Sequence, residues 1–209
     1  MRALLAGAAA ALTALAALAC EGPWLGFHRE VTGTWRLVPA ESAIHFVGIK
    51  NDAVGVPGSF SSLEGAFDST KRTGWVEVKL GSAETGNPAR DENIRTTFFE
   101  AARFPVARFD VAGLPAPEAL PAPGTSTQLE LSGTLALHGA ALALKIPASI
   151  SRDAQNHFHL RNAAPVILTT KDLGMDAQLA ALKAVCGHES LSGAVPVDVD
   201  LAFAPVGVD

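Results

Sequence analysis

The sequence is short of the features that most often announce a function. Cys20 and Cys186 are the only cysteines among 209 residues, so at most one disulfide can form and a disulfide-framed fold is excluded. Lys and Arg total 16 against 21 Asp and Glu, for a formal charge of -5. With no basic cluster to offset that balance, a nucleic-acid surface is excluded. The long apolar run is confined to residues 1–19 and falls short of the ~20 residues of a comfortable membrane span. No strand–helix–strand unit repeats, which argues against a parallel α/β sheet. No nucleophile, base and orienting group gather in one motif, so no catalytic residue is assigned and no cofactor is required.

The amino terminus carries an export pattern instead. Arg2 is the single charge before a stretch of Ala, Leu, Gly and Thr that ends at Ala19, and residues 1–19 are read as an export signal. Residues 20–34 form a short tether. Ala17-Leu18-Ala19 offers the small-x-small pattern of ordinary cleavage, yet Cys20 follows directly, where bacterial lipoproteins carry their acylated cysteine. Lipid attachment at Cys20 would hold the protein on a membrane, and Glu21 fits the pattern of outer-membrane sorting. A soluble periplasmic protein would leave Cys20 free to pair with Cys186. The two readings exclude each other.

From Trp35 onward the hydrophobic period is two. Val76, Val78 and Leu80 alternate with Glu77 and Lys79; Phe109 and Val111 alternate with Arg108 and Asp110. Leu129, Leu131, Gly133, Leu135 and Leu137 share one face and are followed, past a turn at Gly139, by Leu142, Leu144, Ile146, Ala148 and Ile150. That is an antiparallel hairpin. Val195, Val197, Val199, Leu201 and Phe203 close the chain with the same alternation, whereas Leu114 to Thr127 is expected to be a surface loop. About eight to nine strands in one domain predict a mainly β fold, a closed antiparallel barrel or a sandwich.

One helix is inserted among these strands. Asn87 can cap it, Pro88 suits its first position and Asp91 sits near its positive end, while Pro105 stops it, so a helix is predicted at about 88–103. Phe98 and Phe99 are adjacent, and on a regular helix only Phe98 would lie along the stripe. A second short helix is predicted at about 176–185, ended by Gly187.

The inward phase is aliphatic or aromatic with many Gly and Ala, which either packs solid or leaves a channel for one apolar ligand. Its members on the early strands are Phe46, Phe60, Phe67, Val76 and Val78. The helix and the strand after it add Phe98, Phe99, Phe109 and Val111. The hairpin adds Leu129, Leu131, Leu135, Leu137, Leu144 and Ile146, and the last strand Val197, Val199 and Leu201.

A family resemblance rests on Phe46 and Lys50, Gly58-Ser59-Phe60 with Gly65, Thr85-Gly86 with Arg90-Asp91, Phe98-Phe99, Pro105 and Phe109, and Gly133 through Gly139. In that order and spacing they resemble the bacterial YceI-like family over about 35–205. The resemblance implies a single lipocalin-like antiparallel β-barrel in the periplasm, with a tunnel that binds a long isoprenoid or another amphiphile, and no catalytic residues. The expected partner is therefore an apolar small molecule, a bound isoprenoid or other lipid, and a homodimer stays open. Arg90 and Lys50 are the candidates for meeting the ligand's head group.

Three other sets of residues invite chemistry. Cys186 with His188 could form a thiol- or metal-dependent enzyme, but a cysteine at a helix C-terminus faces the negative dipole end, which disfavours thiolate. His157 and His159 share a strand face and could chelate a metal, yet no carboxylate or cysteine stands at ligand spacing, so no metal site is assigned. His45, set among Ala43, Val47 and Ile49, is expected to be a core histidine. The bland reading of Arg90 and Asp91 is helix capping with a local ion pair. A barrel filled by its own side chains, serving as an envelope interaction protein, is the remaining alternative.

Overall fold

The computed structural model describes residues 31–207; the export signal, Cys20 and most of the tether lie outside the described residues. Twelve strands form one sheet, and they run as eight staves. β1 (Thr34–Leu37) and β2 (Ala43–Lys50) make the first stave, β3 (Val54–Phe60) and β4 (Leu63–Asp68) the second, β5 (Thr73–Lys79) and β6 (Ala83–Glu84) the third. β7 (Val106–Ala112), β8 (Thr125–Leu137) and β9 (Ala140–Arg152) follow singly. β10 (Phe158–Asn162) and β11 (Val166–Thr169) form the seventh, and β12 (Ala194–Pro205) the last.

Each stave is antiparallel to the next, and β12 returns to the first. Its outer half pairs with β1, Trp35 opposite Pro205, and its inner half with β2, Phe46 opposite Val197. Between those pairings a 3-10 turn at Pro39–Glu41 takes up extra residues, so one broken stave follows β12 along its length. The result is a closed barrel, which removes the exposed edges an open sheet would have.

The β8–β9 hairpin is the longest ladder, running from Thr125 opposite Arg152 to Leu137 opposite Ala140. Its two-residue turn holds His138 at φ 52° and Gly139 at φ 82°, the left-handed pair that matches the twist of the strands it joins.

The barrel has two different poles. Both helices stand at one of them. α1 (Pro88–Asn93) begins with the Asn87 side chain accepting the Arg90 N–H at 3.1 Å, and α2 (Asp176–Cys186) ends on Gly187 at φ 63°. At the opposite pole Trp35 stacks on Phe67 with ring centroids 4.9 Å apart, and Phe158 meets both edge-on at 5.3 and 5.4 Å. Phe203 closes on Phe67 at 5.4 Å, and the Trp35 indole donates to the Asn156 carbonyl at 3.3 Å. The two ends of the described chain meet here, where the Val206 N–H donates to the Thr34 carbonyl at 2.9 Å.

Three local expectations change. α1 is α-helical only to Asn93 and then widens into a π turn, Ile94–Phe98, in which the Phe99 N–H reaches the Ile94 carbonyl at 2.8 Å. The wider turn lets Phe98 and Phe99 face the interior together. The loop after β7 is not simply superficial: Leu114, Pro115 and Leu120 turn inward and Pro121 is buried. His45 is exposed, because the inward phase of β2 is Ile44, Phe46, Gly48 and Lys50.

Phe158 is completely buried in the aromatic pole. Phe158→Ala is expected to cost about 3–5 kcal/mol, read from urea unfolding midpoints at unchanged m-value.

Candidate functional site: an apolar channel in the barrel

The barrel is not packed to its axis. A cavity of about 340 Å³ runs between the poles, at the lower end of the ~300–1,000 Å³ typical of small-molecule pockets. Every residue named above for the inward lining borders it, from Phe46 and Phe60 through Leu135 and Leu144 to Val199 and Leu201. Several neighbours escaped sequence reasoning, among them Ile44, Leu120, Leu168 and Leu179. Ile44 and Leu168 lie in segments with apolar residues in both phases, where alternation does not choose a face; Leu120 lay in a Pro-rich segment without period, and its inward turn is a tertiary effect.

Aromatic rings form the wall beneath the helices. Phe46, Phe60, Phe99 and Phe98 follow one another with centroid separations of 5.2, 5.9 and 5.0 Å. Phe46 can lie along this wall because Gly58 is its cross-strand partner. A Cβ on Gly58 would come within 2.4 Å of the Phe46 ring, and one on Gly133 within 2.5 Å of the Phe109 ring. These glycines accept the rings where any side chain would push them toward the axis.

Charge enters the lining only at the helix pole. Lys50 ends β2 beside a bridge to Leu191, and Arg90 lies on α1. The expected Arg90–Asp91 ion pair is replaced by a relay through Thr85. Buried Asp91 accepts the Thr85 N–H at 2.8 Å and its hydroxyl, while the Arg90 guanidinium donates to Thr85 Oγ1 at 2.7 Å and to the Thr85 carbonyl at 3.0 Å. The guanidinium is thereby fixed in direction, with part of its donor fork unused among the described residues.

Cys186 and His188 also border the cavity, but no hydrogen bond joins them among the described residues. The Cys186 thiol instead accepts a long contact from Asn93 Nδ2 at 3.8 Å. His157 and His159 do have a carboxylate between them, contrary to expectation. Asp153 lies 3.8 and 3.4 Å from their ring nitrogens. Its Oδ1 serves the turn, accepting the His157 and Gln155 N–H groups at 2.8 and 2.9 Å, while Oδ2 faces the two imidazoles. Among the described residues no three His, Cys, Asp or Glu side chains are grouped to hold a metal.

α2 is tied to the barrel through carboxylates, the first being Asp176, which accepts the Thr170 hydroxyl at 2.7 Å. Glu100, at φ 46°, accepts from Gln178 Nε2 at 3.1 Å, and His138 Nε2 lies 2.8 Å from the same oxygen. These bonds, Gln178 first and His138 second, hold the Glu100 carboxyl below its usual value.

The YceI-like domain family matches residues 35–203. This chain belongs to the YceI-like family. Among solved structures, a polyisoprenoid binding domain from Saccharophagus degradans, implicated in plant cell wall breakdown, is 25% identical. It superposes with a TM-score of 0.78 over 84% of this chain and 99% of that one. Burkholderia cenocepacia BcnA is 14% identical with a TM-score of 0.61, covering 79% of this chain and 98% of its own. The Campylobacter jejuni YceI protein is 15% identical with a TM-score of 0.52, covering 74% and 86%. The last two show the shared fold. No curated protein matches the chain in sequence.

Two outcomes test the site's construction. Gly58→Val is expected to cost about 1–3 kcal/mol by overpacking, with part of the loss recovered when Phe46→Leu is added, as read from a double-mutant cycle of unfolding free energies. Because the folded pKa of Glu100 is depressed, its stabilisation is complete above 4.5 and is lost as pH falls through the folded value. Thermal midpoints should therefore fall less between pH 6 and about pH 3 in Glu100→Gln than in the parent.

Proposed function

We propose that this protein is an exported, non-catalytic binding protein that holds a long apolar or amphiphilic lipid in its barrel. The ligand class comprises isoprenoids, isoprenoid quinones and fatty acyl chains. The observation that carries this reading is the open channel itself, lined almost entirely by hydrocarbon. A polar ligand entering it would lose hydrogen bonds to water without replacement, whereas a hydrocarbon chain gains ~25 cal/mol per Å² buried, less the cost of ordering it. The likeness to a domain described as polyisoprenoid binding supports the same class. An unfilled interior also speaks against the barrel as a solid interaction module.

The export pattern of residues 1–19 and Cys20 support a periplasmic location, with Cys20 acylated and held in the outer membrane. No helix among the described residues is long and apolar enough to cross a membrane.

Organic extraction of protein purified from its own host should yield lipid at about one equivalent, and mass spectrometry of the same preparation should find a mature N-terminus at Cys20 carrying acyl chains. Leu135→Trp should reduce lipid uptake at least about tenfold while changing stability by under ~1.5 kcal/mol. Equal loss of both would point to a packed core, and a lipid-free extract that takes up no lipid on reconstitution would count against the carrier.

A further inference from the structure

The cavity's charge has one sign. The chain as a whole is acidic, with a formal charge of -5, yet none of its Asp or Glu residues borders the cavity among the described residues. The charged side chains that do are Lys50 and Arg90, and both stand at the helix pole. Neither has a carboxylate at ion-pair distance among the described residues. Both are half-buried.

Chemistry makes this arrangement informative. A cation at the edge of an apolar cavity loses hydration, and where no carboxylate pairs with it a bound anion offsets that cost. Arg90 is also built for the purpose. Asp91 engages Thr85 instead of the guanidinium, and Thr85 holds Arg90 through Nε and one terminal nitrogen, so the remaining N–H groups keep a fixed direction. Such a fork suits a planar carboxylate or a phosphate, while the ammonium of Lys50 supplies a point charge. A quinone or an alcohol offers neither the charge nor the paired oxygens.

Resting on the carrier reading, we propose that the lipid this barrel selects is an amphiphile with an oxyanion head, held between Lys50 and Arg90 with its hydrocarbon tail along the channel. Fatty acids and prenyl phosphates share that chemistry. Asp91 and Thr85 are positioning residues, acting through Arg90.

The test compares heads on identical tails, using the delipidated full-length protein and fluorescence displacement. Oleic acid is set against oleyl alcohol, and geranylgeranyl phosphate against geranylgeraniol. At least one anion is expected to bind about tenfold or more tighter than its alcohol, the advantage of a hydrogen bond to a charged group, and which pair shows the larger ratio separates carboxylate from phosphate. Lys50→Gln and Arg90→Gln should each shrink that ratio, and together bring it to about one, with added salt acting in the same direction. Thr85→Val, which unseats Arg90 without removing charge, should shrink it partly. Alcohols binding as tightly as the anions would overturn the oxyanion head while leaving the carrier intact. A ratio that survives both charge substitutions would overturn the roles of Lys50 and Arg90. Failure of all four probes to bind would overturn the carrier reading and this inference together.

Discussion

Ring closure by β12 is the constraint on which the remainder of the molecule depends. One edge of that strand bonds β10 and β11, and the other bonds β1 and β2. If either side opened, the inward faces of eight staves would no longer surround a common space, and unpaired edges would be exposed to other chains. The 3-10 turn at Pro39–Glu41 divides the first stave into β1 and β2, and each half keeps its own register with β12.

Closure alone does not leave room inside. An eight-stranded barrel is narrow enough for side chains to fill, and this interior is rich in Phe and Leu. Space survives because large and absent side chains face each other: the Phe46 ring occupies the position of a Gly58 side chain, and Phe109 that of Gly133. The π turn after α1 adds to the effect by setting Phe98 and Phe99 on the wall side by side. The same rings also form the apolar boundary below the charged pole, so that polarity changes over a short distance along the channel.

Much of this was legible from the sequence. Strict alternation in β8, β9 and β12 named the inward residues without ambiguity, since a period of two leaves only two choices of face. The resemblance through Gly58, Arg90-Asp91, Phe98-Phe99 and Gly133 resolved barrel against sandwich. Where the pattern was weak, the reading slipped. Ala43, Val47 and Ile49 are as apolar as Ile44 and Phe46, so β2 offered no polar face and His45 was assigned to the wrong one. The widening of α1 depends on packing that no local propensity encodes. The Thr85 relay between Asp91 and Arg90 was invisible for another reason: two adjacent opposite charges invite an ion pair, and only three-dimensional placement shows both turned to a third residue.

The meeting of the two ends of the described residues at the aromatic pole, with Val206 bonded to Thr34, bears on how the barrel can be handled. Cut to residues 31–207, the barrel has neighbouring ends that suit circular permutation, with a short peptide joining them and new ends cut elsewhere. A dye, a fusion partner or a solid support attached beyond Pro205 would likewise stand at the antipode of α1 and α2, and an immobilised layer of the protein would present its charged pole to the bathing solution.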